Sequence, residues 1–335
     1  MPSLDLDKLK ATRKIALAGD HLCVARVPNS DQLWFGSSDH KLYFVDLAAE
    51  KPQPVAVEGH KSYVSGAVLT GRHLITGSWD RKLIWWDTEK RQPVRTVAAH
   101  QRWIRQIALS PDRSLVASIS DDMSAKLWVA ASGKLVRELR GHEPRLPRYD
   151  YANKLFACAF SPDGQLLAVN DELCQVIIWE VSSGKVAARI DAKNFFTADW
   201  DRNNHPYGGL RCLAFSPDGQ LLALAGIHNN DVAIISGSGL VQVFDWKAGK
   251  LTQDFKNTGG AGQFETLYFH PQGDWLLAGV GGGGKSLLQF FDLKQKRLLK
   301  DVPSLMPTFG LAVNENVDAF YTVGRGQIIQ WESPA

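Results

Sequence analysis

The sequence lacks the features that mark membrane, secreted and metal-binding proteins. In its 335 residues no uninterrupted apolar stretch approaches the roughly 20 residues that span a bilayer. The first residues, MPSLDLDKLKATRK, contain no apolar core of the length that a secretory signal needs. The four cysteines form no Cys-x-x-Cys pair, which argues against a zinc site and against a redox motif. We therefore expect a cytoplasmic protein, nucleocytoplasmic in a eukaryote, with no metal and no cofactor.

Strong charge and long helical periodicity are missing as well. The formal net charge is only +3, which is too mild to require a nucleic acid or an anionic membrane as partner. Instead, short runs of aliphatic and aromatic residues recur between turn residues, as at 83–86 (LIWW) and 176–179 (VIIW). Such runs are typical of β-strands, and they predict an all-β protein.

An apolar residue followed by a mostly acidic one recurs seven times at the end of these runs. The seven pairs are Val45-Asp46, Trp86-Asp87, Trp128-Val129, Trp179-Glu180, Phe244-Asp245, Phe291-Asp292 and Trp331-Glu332. Successive pairs lie 40 to 65 residues apart, and the shorter spacings suit a repeat of four short strands. A tight turn falls between the pairs at Ser110-Pro111-Asp112, Ser161-Pro162-Asp163-Gly164, Ser216-Pro217-Asp218-Gly219 and His270-Pro271-Gln272-Gly273.

These repeats resemble the WD-repeat family over nearly the whole chain. The unit is clearest at 60–87, where Gly59-His60, the run TGSWD at 76–80 and the run LIWWD at 83–87 follow one another. In that family a His, a Ser or Thr, an Asp and a Trp form a buried hydrogen-bonded tetrad. The resemblance implies two such structural tetrads, at His60, Thr76, Asp80 and Trp86, and at His100, Ser118, Asp122 and Trp128.

The resemblance implies a single seven-bladed β-propeller over residues 1–335, with four antiparallel strands in each blade. The expected blades are approximately 18–58, 59–98, 99–140, 141–190, 205–257, 260–302 and 303–334. The last repeat supplies only three strand-like pieces, and 13–21 looks like the fourth-strand segments of other repeats. We therefore predict that the N-terminal strand at 12–18 completes the last blade and closes the ring.

Several repeats depart from the family pattern. The position six before Trp179 is Leu173, and the one six before Trp331 is Arg325, where the tetrad would need an Asp. The first repeat keeps Asp39 but has Phe35 where the hydroxyl should be. We expect such blades to depend more on apolar packing.

Two patterns point to catalysis and are better explained by the repeat. Residues 279–286 (GVGGGGKS) match the phosphate-binding pattern of an NTPase, but that loop must open a helix, whereas 287–292 occupy a strand position. The His, Ser or Thr, and Asp residues of the tetrads resemble a catalytic triad only in type, since they satisfy buried polar groups. We predict no catalytic residues.

Partner-binding candidates come from loops that the family places on one face of the propeller, and from two insertions at 191–209 and 226–238. Aromatic and Arg side chains are favoured at protein interfaces. The candidates are Tyr63, Trp79, Arg102, Trp103, Arg145, Arg148, Tyr149, Asn170, Asp171, Phe195 and Trp200. The aromatic residues of the first insertion either bind a partner or cover the core.

The sequence thus predicts a non-catalytic scaffold that binds a protein or peptide on the top face of the propeller, as a subunit of a larger assembly. Two alternatives remain open at this point. One is nucleic-acid binding through Arg102, Arg145 and Arg148, and the other is an enzyme with loop-borne active-site residues.

Overall fold

A computed structural model describes residues 4–71, 73–145, 152–196, 209–228, 238–282 and 285–333. The chain forms two compact units, one of residues 1–107 and 306–335 and the other of residues 108–305. Within the described residues, regular structure consists of β-strands and one short 3-10 turn at Lys193–Phe195. The predicted all-β class is confirmed.

The first unit contains the largest sheet. Its strands, in spatial order, are β25 (Thr308–Val313), β26 (Ala319–Glu332), β1 (Lys10–Arg26), β2 (Gln32–Ser37), β3 (Leu42–Asp46) and β4 (Val55–Val57). A second sheet of this unit contains β5 (Val64–Thr70), β6 (His73–Ser78), β7 (Lys82–Asp87) and β8 (Gln92–Ala98) in that order.

Four four-stranded sheets follow, and each contains four strands that are consecutive in the chain. The first has β9 (Ile104–Leu109), β10 (Leu115–Ser120), β11 (Ala125–Val129) and β12 (Leu135–Leu139). The second has β13 (Leu155–Phe160), β14 (Leu166–Asp171), β15 (Gln175–Glu180) and β16 (Val186–Asp191). The third has β17 (Leu210–Phe215), β18 (Leu221–His228), β19 (Ser238–Asp245) and β20 (Lys250–Ala261), and the fourth has β21 (Gln263–Phe269), β22 (Trp275–Gly282), β23 (Leu287–Asp292) and β24 (Arg297–Pro303).

The prediction of seven blades is wrong, because the described residues form six sheets. The difference arises in the six-stranded sheet, where β1 and β26 are long strands of 17 and 14 residues. One part of β1 pairs with β2 and another part pairs with β26, so the segments predicted as the first and last repeats share one sheet.

The predicted pairing of the N-terminal strand with the last repeat is confirmed. In β1 and β26, Lys10 lies opposite Glu332, Ile15 opposite Ile328 and Ala16 opposite Gln327, in antiparallel register. Ile15 is partly buried and packs against a core cluster that includes Ile328 and Tyr321.

The second and third strands of the repeats are buried on both faces, which explains their continuous apolar runs. In β7, Leu83, Ile84, Trp85 and Trp86 are all at most 2% exposed. The neighbouring edge strand β8 is almost entirely exposed.

The segment after the glycine-rich motif is a strand, as the repeat predicts. β23 begins at Leu287 and pairs antiparallel with β22, so no helix follows the motif to direct amides at a phosphate. Gly283 and Gly284 lie outside the described residues. Among the described helices, none is long and apolar enough to cross a membrane.

Candidate partner-binding surface

The buried polar residues of the second repeat form one hydrogen-bonded chain. His60 Nδ1 lies 2.9 Å from Asp80 Oδ2, and His60 Nε2 lies 2.7 Å from Thr76 Oγ1. Trp86 Nε1 donates to the same Thr76 hydroxyl at 2.8 Å. Thr76 therefore joins the imidazole to the indole, and every ring nitrogen of His60 has a partner.

Asp80 extends this chain to the loop before β5. Its carboxylate accepts hydrogen bonds from the backbone N–H groups of Lys61, at 2.9 Å, and Lys82, at 3.0 Å. Burial alone would raise the pKa of Asp80, but its hydrogen bond with His60 and those amides hold the pKa below its usual value. The ionised carboxylate thus holds the loop that contains Tyr63 against the β6–β7 turn that contains Trp79.

A backbone hydrogen bond fixes the same two loops directly, since Trp79 N–H donates to the Tyr63 carbonyl at 2.9 Å. The start of β9 is attached as well, because Ser65 Oγ donates to the Ile104 carbonyl at 2.6 Å. Three loops of the first unit are therefore held side by side at the point where their aromatic residues emerge.

These aromatic residues form a continuous stack, which we call the aromatic ladder: Tyr63, Trp79 and Trp103. The Tyr63 and Trp79 rings stack with centroids 4.5 Å apart, and those of Trp79 and Trp103 stack 4.3 Å apart with an interplanar angle of 4°. His40 continues the row, with its ring centroid 5.9 Å from that of Tyr63. Trp103 is 45% exposed, which leaves a large apolar surface in contact with solvent.

Arg105 belongs to the ladder, although it is not among the residues predicted from the sequence. Its Cζ lies 5.1 Å from the Trp79 ring centroid and 5.3 Å from that of Trp103. The alternation of side chains along β9 identifies Arg105. Ile104 is fully buried, so the next side chain, that of Arg105, points to the opposite face of the sheet.

The third repeat contains the same indole hydrogen bond. Trp128 Nε1 donates to Ser118 Oγ at 2.9 Å. Asp122 Oδ1 accepts from the backbone N–H and hydroxyl of Ser124, at 3.0 and 2.6 Å, and His100 is buried. The assignment of a complete second tetrad stays a prediction.

Asn170 and Asp171 lie in the interior, although the repeat pattern predicts them on the binding surface. They are 0% and 1% exposed, so their side chains are covered by protein. Asp171 accepts a hydrogen bond from His142 at 2.9 Å and from Asn153 Nδ2 at 3.0 Å. The tetrad pattern would place an Asp at position 173, which is Leu. Asp171, two positions earlier, takes the place of that Asp. A fixed spacing from Trp179 therefore does not predict it.

The other candidates are divided between exposed, buried and undescribed positions. Arg102 and Arg145 are exposed, and Arg145 forms an isolated bridge with Ala152. Phe195 is 0% exposed and packs in a core cluster, as the covering interpretation of the first insertion expects. The remaining candidates lie outside the described residues: Arg148, Tyr149, Trp200 and the insertion segments 197–208 and 229–237.

Described residues of the second unit line a groove and a smaller pocket. A groove of about 720 Å³ is lined by the turns at Asp163 and Asp218 and by Trp246, and a pocket of about 430 Å³ is lined by His142 and Phe196 among others. Among the described residues, no group of three His, Cys, Asp or Glu side chains is placed to hold a metal ion.

Comparison with known proteins identifies a family model that matches the sequence and several relatives. The family model described as "WD domain, G-beta repeat" matches residues 52–87, 91–129, 133–180 and 202–245. Telomerase protein component 1 of Rattus norvegicus is 27% identical over 328 residues, which are 96% of this chain and 11% of that protein. Apoptotic protease-activating factor 1 of Homo sapiens is 29% identical over 178 residues, covering 51% of this chain and 13% of the relative.

Eukaryotic translation initiation factor 3 subunit I of Bombyx mori is 28% identical over 166 residues, which are 47% of this chain and 47% of the relative. The chain thus matches less than half the length of each of these three relatives.

Proposed function

Because the chain belongs to the WD-repeat β-propeller family, we propose that it is a non-catalytic scaffold that binds a protein or peptide partner through its aromatic ladder. The observation that carries this proposal is the stack of Tyr63, Trp79 and Trp103, which ends in a large exposed indole. Exposed aromatic side chains held in a fixed geometry are favourable anchors, because little conformational entropy is lost when a partner covers them.

The names of the relatives support a place in a larger assembly. One is called a protein component of telomerase, and another is called a subunit of an initiation factor. We extend only the general property to this chain: it binds other proteins as one part of a complex. Its partner is a separate question, since the chain matches a small part of the first of these proteins.

The tetrad of the second repeat supports the proposal from within the fold. The ionised Asp80 and the backbone bond between Trp79 and Tyr63 hold the ladder in place before a partner arrives. A preformed surface binds more tightly than a mobile one of equal area.

Capture of partners by the tagged chain tests the proposal. Proteins that co-purify are identified by mass spectrometry, and the strongest candidate is then produced in pure form and titrated against the chain by calorimetry. Trp103→Ala should weaken this binding by at least about tenfold, as expected for an interface anchor, and Trp103→Phe should restore part of it.

Val94→Ala is the matched control, because Val94 is an apolar residue of the same unit that is 53% exposed on the edge strand β8. It should leave the affinity unchanged. If Trp103→Ala binds as tightly as the Val94 variant, the ladder is not the partner site and the proposal is wrong.

A further inference from the structure

The groove in the second unit lies at two turns of identical sequence. Residues 161–165 and 216–220 both read SPDGQ. The two turns are neighbours, because Pro162 Cδ lies 3.7 Å from the position that a Cβ on Gly219 would take. Trp246 fixes the second turn to the wall of the groove, since its Nε1 donates to the Gly219 carbonyl at 2.8 Å. We call this groove of about 720 Å³ the turn groove, and its volume lies within the range of about 300 to 1,000 Å³ that is typical of ligand sites.

Each turn presents one exposed aspartate carboxylate to the groove in the same way. In the first turn, Ser161 Oγ and the backbone N–H of Gln165 donate to Oδ1 of Asp163, at 2.5 and 3.0 Å. The second turn repeats both bonds, with the same lengths, at Oδ1 of Asp218. Within the described part of the chain, Oδ2 of each carboxylate has no hydrogen bond and no ion pair. The serine and amide hydrogen bonds hold the pKa of both carboxylates below its usual value, so both are ionised at neutral pH.

The charge that lines the turn groove is predominantly negative. Asp163, Asp218 and Glu180 contribute carboxylates, and Lys247 contributes an ammonium. None of these three carboxylates forms an ion pair with a described residue. A cationic guest is therefore attracted to the groove, and an anionic guest is repelled from it.

Lys247 shows where a cation fits in the turn groove. Its Nζ lies over the Trp246 ring, 5.4 Å from the centroid. The lysine side chain is exposed and makes no ion pair with any residue that the structure describes, so its ammonium can move into water when a guest arrives. A guanidinium suits the same place better than an ammonium, because it is planar, stacks on aromatic rings and is less strongly hydrated.

We propose that the turn groove binds an arginine-containing segment of a partner protein. The guanidinium takes the place of the Lys247 ammonium over Trp246 and pairs with the unbonded Oδ2 of Asp163 or of Asp218. This inference goes beyond the proposed function, because the turn groove and the aromatic ladder share no residue. It gives the chain a second binding surface, which lies entirely in the second unit.

Fluorescence anisotropy with the intact chain tests the proposal. Three labelled peptides are titrated, Gly-Arg-Gly-Arg-Gly, Gly-Lys-Gly-Lys-Gly and Gly-Glu-Gly-Glu-Gly, and unlabelled spermine serves as a competitor. The arginine peptide should bind at least about threefold more tightly than the lysine peptide, and added salt should weaken its binding. The acidic peptide should not bind. Spermine has charge but no planar guanidinium, so its displacement of the arginine peptide should require about tenfold more competitor than displacement by the unlabelled arginine peptide.

Aspartates of equivalent turns provide a matched pair of variants. Asp218→Asn should raise the dissociation constant of the arginine peptide about fivefold, because it neutralises a carboxylate of the groove. Asp112→Asn is the control, since Asp112 accepts the same serine hydrogen bond in the turn of the third repeat and does not line the turn groove. It should leave the affinity unchanged, and circular dichroism verifies that each variant is folded.

Two lysine variants test the place of the guest. Lys247→Ala should lower the dissociation constant of the arginine peptide about threefold, because it removes the ammonium that lies over Trp246. Lys250→Ala is its control, since Lys250 is an exposed lysine of the same unit that does not line the groove. A general effect of charge would change the affinity equally in both variants.

The outcomes separate this inference from the proposed function. The inference is overturned if the arginine peptide does not bind, or if the lysine peptide, the acidic peptide or spermine binds as tightly. Equal effects of the two aspartate variants, or of the two lysine variants, also overturn it. Trp103→Ala should leave the affinity for the arginine peptide unchanged, and loss of binding in that variant would place the peptide on the ladder. Partner capture through Trp103 is measured separately, so failure here leaves the proposed function standing.

Discussion

At the scale of single residues, the hydroxyl of Thr76 completes the hydrogen-bonded chain between His60 and Trp86. The fourth repeat has Val169 at the matching place. Val169 lies opposite Ile177 in its sheet, just as Thr76 lies opposite Ile84 in the sheet of the second repeat. His142 still bonds Asp171 through Nδ1, but its buried Nε2 has no hydrogen-bond partner among the described residues. A buried polar atom without a partner costs stability, so this repeat carries a removable defect.

We predict that Val169→Thr raises the free energy of unfolding by about 1 kcal/mol, because the new hydroxyl gives His142 Nε2 a partner. Urea denaturation measures the change. Val169→Ala is the control, since it removes methyl groups without adding a hydroxyl and should destabilise the protein. Equal destabilisation by the two variants would show that the imidazole does not use the hydroxyl.

The reverse change in the second repeat should cost more. Thr76→Val leaves the Trp86 indole N–H and one nitrogen of His60 without their partner, so the free energy of unfolding should fall by about 2 kcal/mol or more. The variant should also weaken partner capture, because the tetrad holds the loops of Tyr63 and Trp79. Full stability of Thr76→Val in urea would contradict the tetrad's structural role.

The Ser-Pro-Asp turns predict a response to acid. The hydroxyl of Ser110 donates to Asp112, as those of Ser161 and Ser216 donate to the matching Asp163 and Asp218. These bonds, with one from Ser114, lower the pKa of Asp112 from 3.8 to about 2. Hydrogen bonds from serine also lower the pKa of Asp163 and of Asp218. Since the folded pKa is depressed, this stabilisation is present above the unfolded pKa and is lost as pH falls through the folded one.

Replacing all three aspartates by Asn should flatten this part of the pH profile. The urea midpoint of the natural chain should fall as pH decreases from 3.8 to about 2, and the triple variant should show a smaller fall over that window. The same slope in both proteins would show that these carboxylates are not the groups being titrated.

At the scale of elements, the pairing of β1 with β26 joins the two ends of the chain in one sheet. We predict that deletion of residues 1–18 lowers the melting temperature by about 10 °C or more, because it removes the partner strand of β26 and exposes Ile328. Differential scanning calorimetry provides the measurement.

Ile15→Pro tests the same contact at full chain length, since proline has no backbone N–H to donate a hydrogen bond within β1. Ile15→Val is its control and should melt close to the natural chain. The pairing is unimportant for stability if the truncated chain and the proline variant both melt like the natural one.

The sequence predicts these elements unevenly, for identifiable reasons. The Ser-Pro-Asp turns and the runs ending in Trp86, Trp128 and Trp179 place most strands, because turn chemistry and burial are local. The lengths of β1 and β26 are set by pairing between the two ends of the chain, which local patterns do not encode, and the predicted number of separate sheets was therefore wrong.

The sequence also predicts the candidate site only in part. Tyr63, Trp79 and Trp103 follow from matching positions in the repeats, whereas their mutual stacking and the place of Arg105 depend on contacts between neighbouring sheets. Asp171 matches a position that the family places on the binding face, and the repeat spacing puts the tetrad position at Leu173, so the sequence alone predicts Asp171 on the surface. The burial of the Asp171 carboxylate depends on the fold, which brings His142 and Asn153 within hydrogen-bond distance of it.

At the scale of the whole molecule, both compact units bury cysteine. Cys23 lies in the first unit, and Cys158, Cys174 and Cys212 lie in the second. Burial raises the pKa of Cys23, Cys158 and Cys174 from 9.0 to about 12, and that of Cys212 well above its usual value. Thiolate is the reactive form, so the native protein should be inert to thiol reagents.

We predict that the native chain reacts with Ellman's reagent at least about a thousandfold more slowly than the chain in urea, since each unit of pKa lowers the thiolate fraction tenfold. The unfolded chain should release colour for all four thiols. Rapid reaction of any thiol in the native state would show that the strand around it opens.

The neighbouring positions of Lys10 and Glu332 have a consequence for protein engineering. Paired strands lie about 4.8 Å apart, so a few linker residues are enough to connect residue 10 with residue 332. New termini can then be opened elsewhere, for example at Gly71, which has a positive φ of 55° and no neighbour near the position of a Cβ. Because residues 10 and 332 are neighbours, the segment between them can also be inserted into a loop of a host protein without separating the host's flanking segments.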